Sequence, residues 1–200
     1  MEVAAKQVPF GAAPEADLRR EVELMRMVSG HRSIIAFHHF ELVADHAAPE
    51  VRFRPNLSLT PARKLTTGPT PHQVRSSSWI FMELATGGDL FDKLARGVLT
   101  ERAVAPYFKG MVEGLLHCLA LGVVHRDIKL ENVALCADDP HAVKLVDFGL
   151  AVCLPPKAAG GGGFDESILY DKVGSKSYRA PEILLNDGYR AMAVDVWALG

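Results

Sequence analysis

Residues 122–132, GVVHRDIKLEN, set the reading of the whole chain. Two short blocks follow in fixed order, Asp147-Phe148-Gly149 and Ala180-Pro181-Glu182. The six fixed letters of the first block (HRD, then Lys129, Glu131 and Asn132) arise by chance in a chain of this length with odds on the order of one in a hundred thousand. A lone DFG or APE carries little weight. All three in fixed order are far less easily reached by accident.

The flanking sequence supplies elements to hold these blocks. Downstream of Asn132, two β-like runs, Val133 to Cys136 and Ala142 to Val146, flank a turn at Asp138-Asp139-Pro140 and read as a hairpin. Upstream, Thr100 is placed to cap a helix whose apolar positions Val104, Phe108, Val112, Leu115 and Leu119 keep helical spacing down to Gly122. Pro106 lacks an amide hydrogen, so a bend or a late start is expected there. WIFMEL from Trp79 reads as a strand, then a Thr-Gly-Gly turn and a short helix over Leu90 to Arg96. At the start, VAAKQV (Val3 to Val8) reads as a strand, and Asp17 is placed to cap a helix with Leu18, Val22 and Met25 on one face. A second strand is expected over Arg32 to Val43. Ala191 to Gly200 has helical character, and the Ala158 to Gly163 run is expected to be mobile.

Composition narrows the class. The 200 residues are 48% apolar and 23% charged, as in globular domains, so a packed core is available. Twenty-two Lys+Arg against 24 Asp+Glu leave a net charge of −2, which argues against a nucleic-acid partner. Cys118, Cys136 and Cys153 match neither a disulfide framework nor a zinc pattern, pointing to a reducing compartment. The most apolar run, Gly114 to Val124, is too short to span a bilayer. A cytoplasmic location is expected, with the nucleus also open. Between Ala44 and Ser78 the character changes: five of the chain's 12 prolines and eight Ser or Thr residues sit there, as in a disordered insert.

With these blocks in view, the chain resembles the eukaryotic protein kinases, whose phosphoryl-transfer parts are well defined. The Lys-x-x-Asn spacing at Lys129 and Asn132 is similar to the serine/threonine branch, and GGDLFDKL with LGVVHRDIKLEN is closest in pattern to the calcium/calmodulin-dependent kinase-like group. The resemblance implies an α+β, two-lobed fold: a partial small lobe over 1–84, with the insert at 44–78, and a partial large lobe over 85–200. It implies ATP and Mg2+ as cofactors and a protein with a Ser or Thr hydroxyl as substrate. Asp127 then orients the acceptor hydroxyl, Lys129 stands beside the moving phosphoryl, and Asn132 and Asp147 are the metal ligands. Lys6, in VAAK, falls to the α- and β-phosphates, with Glu21 as its ion-pair partner. Met82 lies at the back of the adenine pocket, Glu83 to Ala85 form the hinge, Asp89 meets the ribose, Ala4 is the pocket's roof and Ala134 its floor. Met25, Phe37, His125 and Phe148 match a stacked apolar column anchored by Asp195. Ser175 is placed to bond Asp127 and Lys129. Asp171 stands where relatives carry a phosphorylated Thr that pairs with the arginine corresponding to Arg126, so it is expected to supply a permanent anion of one charge in place of roughly 1.5 to 2. Glu131 suits a basic residue ahead of the target hydroxyl.

Only five residues precede Lys6, too few for the two strands and glycine-rich loop of the resemblance, and the large-lobe helices that would follow Gly200 are absent from the sequence, so a fragment is expected. Two functions compete: a serine/threonine kinase, and a catalytically silent kinase-like module that binds or regulates a partner. A Walker-type hydrolase is disfavoured by the lack of G-x-x-x-x-G-K-[ST].

Overall fold

The computed structural model describes residues 3–9, 11–43, 77–97, 99–157, 163–165, 168–185 and 187–200. The chain opens with strand β1 (Val3–Pro9), helix α1 (Glu15–Val28), strand β2 (Phe37–Val43) and strand β3 (Ser77–Glu83). The strands form one antiparallel sheet in the order β1-β3-β2, with Lys6 opposite Ile80 and Ala4 opposite Met82. The second strand is shorter than expected, beginning at Phe37, and Ile34 makes only an isolated bridge to Leu145. Apart from Ser77 and Ser78, the proline-rich insert lies outside the described residues, as does the Ala-Gly run except for Gly163.

Helix α1 buries Leu18, Glu21, Val22, Met25 and Val28 on one face, as its spacing requires. Asp17 is not its cap. The helix starts two residues earlier, after Pro14, which makes no side-chain cap, and Glu15 and Asp17 sit in the first turn where the helix dipole favours acids. At the other end the Ser29 hydroxyl accepts a hydrogen bond from the Phe37 amide at 3.1 Å, tying the helix exit to the start of β2.

The rest of the chain is mainly helical. Helix α2 (Leu90–Ala95) and helix α3 (Glu101–Ala120) lead to β4 (Val123–Val124), a 3-10 turn at Leu130–Asn132, and the hairpin of β5 (Val133–Leu135) and β6 (Val143–Leu145). Short pairs of β4 with β7 (Val152–Cys153) and of β8 (Ile168–Leu169) with β9 (Tyr189–Arg190) brace the segments that follow, around α4 (Pro181–Leu185), and α5 (Ala191–Leu199) closes the described chain. The Thr100 hydroxyl caps α3 at 3.3 Å from the Ala103 amide. Pro106 neither delays nor breaks that helix, which runs without interruption from Glu101 to Ala120. The carbonyl robbed of its donor belongs to exposed Arg102, where water can serve instead.

The buried face of α3 also differs from the expected one. Tyr107, Met111, Leu115 and Cys118 face the core with Gly110 and Gly114, whereas Phe108 is exposed. Two glycines let the hairpin press against the helix. A Cβ on Gly110 would lie 2.5 Å from Val143 Cγ2, and one on Gly114 would lie 3.0 Å from Leu145 Cδ1. One apolar cluster, from Val22 and Met25 through Ile80 and Met82 to Leu115, Leu145 and Phe148, joins α1 and the sheet to α3 and the hairpin. No helix among the described residues is long and apolar enough to cross a membrane.

Candidate active site

The loop after β4 is held from below by one buried acid. Asp195, on α5, is 1% exposed and accepts the His125 amide through Oδ2 and the Arg126 amide through Oδ1, both at 2.7 Å. Burial pushes the Asp195 carboxyl up, against the pull of His125 and the two amides. Those bonds hold Arg126 at φ 64°, a left-handed conformation that non-glycine residues rarely adopt. Asp147 has the same φ of 64°. Both motif turns therefore hold a charged residue in a left-handed conformation, Asp147 itself in one and the neighbour of Asp127 in the other.

His125 and Phe148 connect the two turns. Their ring centroids are 4.8 Å apart, and His125 Nε2 lies 3.0 Å from the Val146 carbonyl. The Val146 amide donates to the Asn132 carbonyl at 3.1 Å, so the chain bearing Asp147 runs beside the chain bearing Asn132. Met25, His125 and Phe148 are fully buried; Phe37, partly buried, packs against the same core and carries the Arg26 guanidinium 5.0 Å above its ring.

Asp127 is the centre of a dense polar cluster. Its Oδ2 accepts from Lys129 Nζ at 2.7 Å and Asn132 Nδ2 at 3.0 Å, and its Oδ1 from the Ser175 amide at 2.9 Å and the Ser175 hydroxyl at 2.8 Å. Lys129 Nζ also donates to Ser175 Oγ at 3.0 Å. Burial raises the Asp127 pKa, but the bonds from Lys129 and Ser175 outweigh it and hold the carboxyl below its ordinary range. Gly174 makes the approach of Ser175 possible. It has φ 85°, and a Cβ there would lie 2.7 Å from the Arg126 carbonyl oxygen.

The second cluster spans the length of the chain. Lys6 Nζ donates to Glu21 Oε1 at 2.7 Å and to Asp147 Oδ1 at 2.9 Å. Burial alone would lower the Lys6 pKa, yet Asp147 and Glu21 reverse it and keep the ammonium charged. The acids respond differently: burial pushes Glu21 up against the pull of Lys6, whereas at Asp147 the pull of Lys6 overcomes burial and holds the carboxyl down. Lys6, Val8, Glu21, Asp127, Asp147 and Gly149 share a cavity of about 320 Å³.

These donors suit a cation carried by phosphate. Asn132 Nδ2 is spent on Asp127, which leaves its Oδ1, and Asp147 uses Oδ1 for Lys6 and the Gly149 amide, which leaves its Oδ2. Among the described residues, no three His, Cys, Asp or Glu side chains gather into a metal cluster. A hard cation would therefore complete its shell with phosphate oxygens and water, as Mg2+ usually does.

The expected adenine-pocket residues are distributed less simply. Ala4 and Met82 are cross-strand partners, and Met82, Ala85 and Ala134 are buried. The Glu83 side chain, however, turns to Lys144 and the Ala36 amide. Asp89 is 5% exposed, and its Oδ1 accepts the Asp92 amide at 2.7 Å as the cap of α2. The family resemblance supplied the ribose expectation; the local demand of a helix end competes for the same carboxylate.

Beside the site, Arg126 Nη1 donates to Asp171 Oδ2 at 2.6 Å, and its Nε donates to the Leu150 carbonyl at 2.8 Å. The Tyr189 hydroxyl completes the arrangement by donating to Asp171 Oδ1 at 3.0 Å. Burial raises the Asp171 pKa, but Arg126 outweighs it and holds the acid below its ordinary range. Neither Tyr189 nor Lys144 stands in a sequence motif.

Residues 1–200 match the family model for the protein kinase domain, and the chain belongs to that family. CBL-interacting serine/threonine-protein kinase 1 of Arabidopsis thaliana is 41% identical over 133 residues, covering 64% of this chain and 28% of the relative. CBL-interacting protein kinase 24 of Oryza sativa subsp. japonica is 40% identical over 127 residues, covering 63% and 26%. CBL-interacting protein kinase 16 of the same species is 33% identical over 183 residues, covering 92% of this chain and 31% of the relative. The chain thus spans about a quarter to a third of the curated relatives it matches. ATP and Mg2+ are the cofactors that the family uses in general.

Proposed function

We propose that this chain is a serine/threonine protein kinase, transferring the γ-phosphoryl group of ATP to a protein hydroxyl, with a small lobe over 1–84 and a large lobe over 85–200. The observation that carries the reading is the Asp127 carboxylate, held below its ordinary pKa within one hydrogen-bonded cluster with Lys129, Asn132 and Ser175. In this reading the carboxylate stays ionised at neutral pH and accepts the hydrogen of the incoming hydroxyl. Four donors already occupy its roughly four lone-pair sites. An incoming hydroxyl would take the place of the Ser175 hydroxyl on Oδ1, which the Ser175 amide continues to hold.

Lys129 then brings positive charge to the transferring group, and Lys6, fixed between Glu21 and Asp147, positions the α- and β-phosphates. Asn132 Oδ1 and Asp147 Oδ2 would hold Mg2+, which when bound neutralises charge on the phosphates. Met82, Ala85 and Ala134 line the adenine site, with the Glu83 backbone at its edge, and Asp89, whose Oδ1 caps α2, would meet the ribose through Oδ2. The calcium/calmodulin-dependent kinase-like grouping rests on GGDLFDKL and the catalytic loop alone.

For regulation, Asp171 acts as the fixed anion for Arg126, supported by their 2.6 Å ion pair, so the segment is ordered without an upstream kinase. Glu131 suits a basic residue of the substrate by charge alone, and its Oε2, buried with no hydrogen-bond partner among the described residues, would have to turn outward to meet one. A cytoplasmic location accords with the free thiols of Cys118, Cys136 and Cys153.

A radiolabelled phosphate-transfer assay, with Asp127→Asn as control, tests catalysis, and thermal stabilisation by Mg-ATP tests nucleotide binding. Transfer that disappears in the control is expected. No transfer and no stabilisation would leave the silent binding module as the reading.

A further inference from the structure

At the back of the site, away from Asp127, one lysine joins three segments. Lys144 lies on β6 directly opposite Ala134, yet its side chain does not serve the hairpin. Its Nζ reaches Glu83 Oε2 at 2.9 Å and the Arg32 carbonyl at 3.2 Å, and its side chain is 13% exposed. The same Glu83 oxygen accepts the Ala36 amide at 3.1 Å, while the Glu83 amide donates to the Ala36 carbonyl at 2.8 Å. The end of β3, the loop between α1 and β2, and the hairpin therefore meet at one ion pair.

The other end of the same connection is pinned by backbone alone. The Gly87 amide donates to the Leu135 carbonyl and the Leu135 amide to the Gly88 carbonyl, both at 2.8 Å. A side chain at Gly87 would collide with that carbonyl at 2.7 Å. Between these two anchors only Leu84, Ala85 and Thr86 are left to span the edge of the pocket. Without Lys144, Glu83 would keep its bonds to Ala36, and the backbone bonds of Ser33 and Ile35 to Leu145 would still join that loop to the hairpin, but the end of β3 would lose its ion pair to β6 and could shift relative to Ala134.

We propose that Lys144 is a positioning residue for nucleotide binding: by holding Glu83 and the Arg32 carbonyl against the hairpin, it presents the backbone of residues 83–85 to the adenine edge in a fixed geometry. It touches neither nucleotide nor acceptor. Its contribution belongs to binding rather than to phosphoryl transfer, because the Asp127 cluster shares no hydrogen bond with it. The pair is only partly exposed, at 13% and 33% of the two side chains, so added salt screens it weakly. The inference rests on the kinase reading, and the measurements below separate the two.

The full chain and its Lys144→Met, Lys144→Arg and Glu83→Gln variants are titrated with Mg-ATP and, separately, with Mg-bound inorganic triphosphate, following thermal stabilisation; KM for ATP and kcat are measured where transfer occurs. Lys144→Met is expected to weaken ATP about tenfold while leaving triphosphate affinity and kcat within about twofold. Lys144→Arg restores most of the loss, and Lys144→Met with Glu83→Gln is no worse than the more damaging single change, since one interaction is removed twice. Equal weakening of ATP and triphosphate, or unchanged ATP affinity in Lys144→Met, overturns the proposal. Should Lys144→Met fail to fold, Glu83→Gln with the same ATP-against-triphosphate comparison decides it. Absence of any nucleotide effect in the unaltered chain sinks the kinase reading itself, a different result from unaltered ATP affinity in the variant.

Discussion

The two charged clusters of the site are built on opposite principles. Asp127, Lys129 and Asn132 lie within six residues of one another and bond within the loop that carries them, with Ser175 the only distant member. Lys6, Glu21 and Asp147 are separated by 15 and 141 residues and meet only because β1, α1 and the turn after β6 pack on one core. The first cluster is therefore held largely by local geometry, whereas the second depends on how β1 and α1 sit against the turn after β6. In the proposed reading, the local cluster serves the chemical step and the long-range one the positioning of the phosphates.

The sharpest way to break the comparison is at the local cluster. Asp127→Asn should lower phosphate transfer about 100- to 10,000-fold while leaving stabilisation by Mg-ATP in place. Loss of both together would show that the clusters are not separable. Next in size is the foundation of the loop. Asp195→Ala leaves the buried amides of His125 and Arg126 without acceptors, at about 1–3 kcal/mol each, and urea unfolding should show a loss of about 2–5 kcal/mol. A loss below 1 kcal/mol would mean that the left-handed Arg126 does not depend on that carboxylate.

The long-range cluster should fail more gently. Lys6→Met is expected to weaken Mg-ATP about tenfold, equivalent to about 1.4 kcal/mol, with the Asp127 cluster intact. Smaller still is the regulatory pair. Asp171→Ala should lower transfer about threefold, since Arg126 keeps its bond to the Leu150 carbonyl and its 3.2 Å contact with the Tyr189 hydroxyl. Full activity in that variant would remove Asp171 from the account.

The smallest effect concerns pH. Asp127 and Asp147 are held below the ordinary aspartate value of 3.8, so their contribution to stability is complete above it and disappears only as pH falls through their lower folded values. They predict no loss between pH 8 and 5. His31 behaves otherwise. Burial, His117, Arg32 and Lys144 lower its pKa from 6.5, with only Glu113 opposing; its ring stacks on His117 at 4.7 Å and its Nδ1 accepts the Ser33 amide. The unfolded chain thus binds this proton more readily, and the stabilisation present above pH 6.5 is lost as pH falls below it. A small drop in melting temperature is expected between pH 7 and 5, and His31→Gln should flatten it.

Much of this molecule could be read without coordinates, and the failures share a cause. The period of α3 was visible in its apolar residues, but its phase was not, because Gly110 and Gly114, which carry no hydrophobic signal, are the residues that admit the hairpin. Asp17 had the chemistry of a cap, yet Pro14, with its fixed φ, starts the helix earlier. Lys144 and Tyr189 are ordinary letters in the sequence, and their partners Glu83 and Asp171 are respectively 61 and 18 residues away.

By itself, the sequence determined the family, the order of the elements and the identity of the charged groups, because fixed spacing within a loop or a helix turn places side chains through local covalent geometry. Only the tertiary structure decided which acid shares Lys6 with Glu21, that Asp195 holds Arg126 in a left-handed turn, and that Lys144 ties the end of β3 to the hairpin. Those arrangements depend on a common core drawing together segments tens of residues apart, and short-range spacing carries no record of that packing.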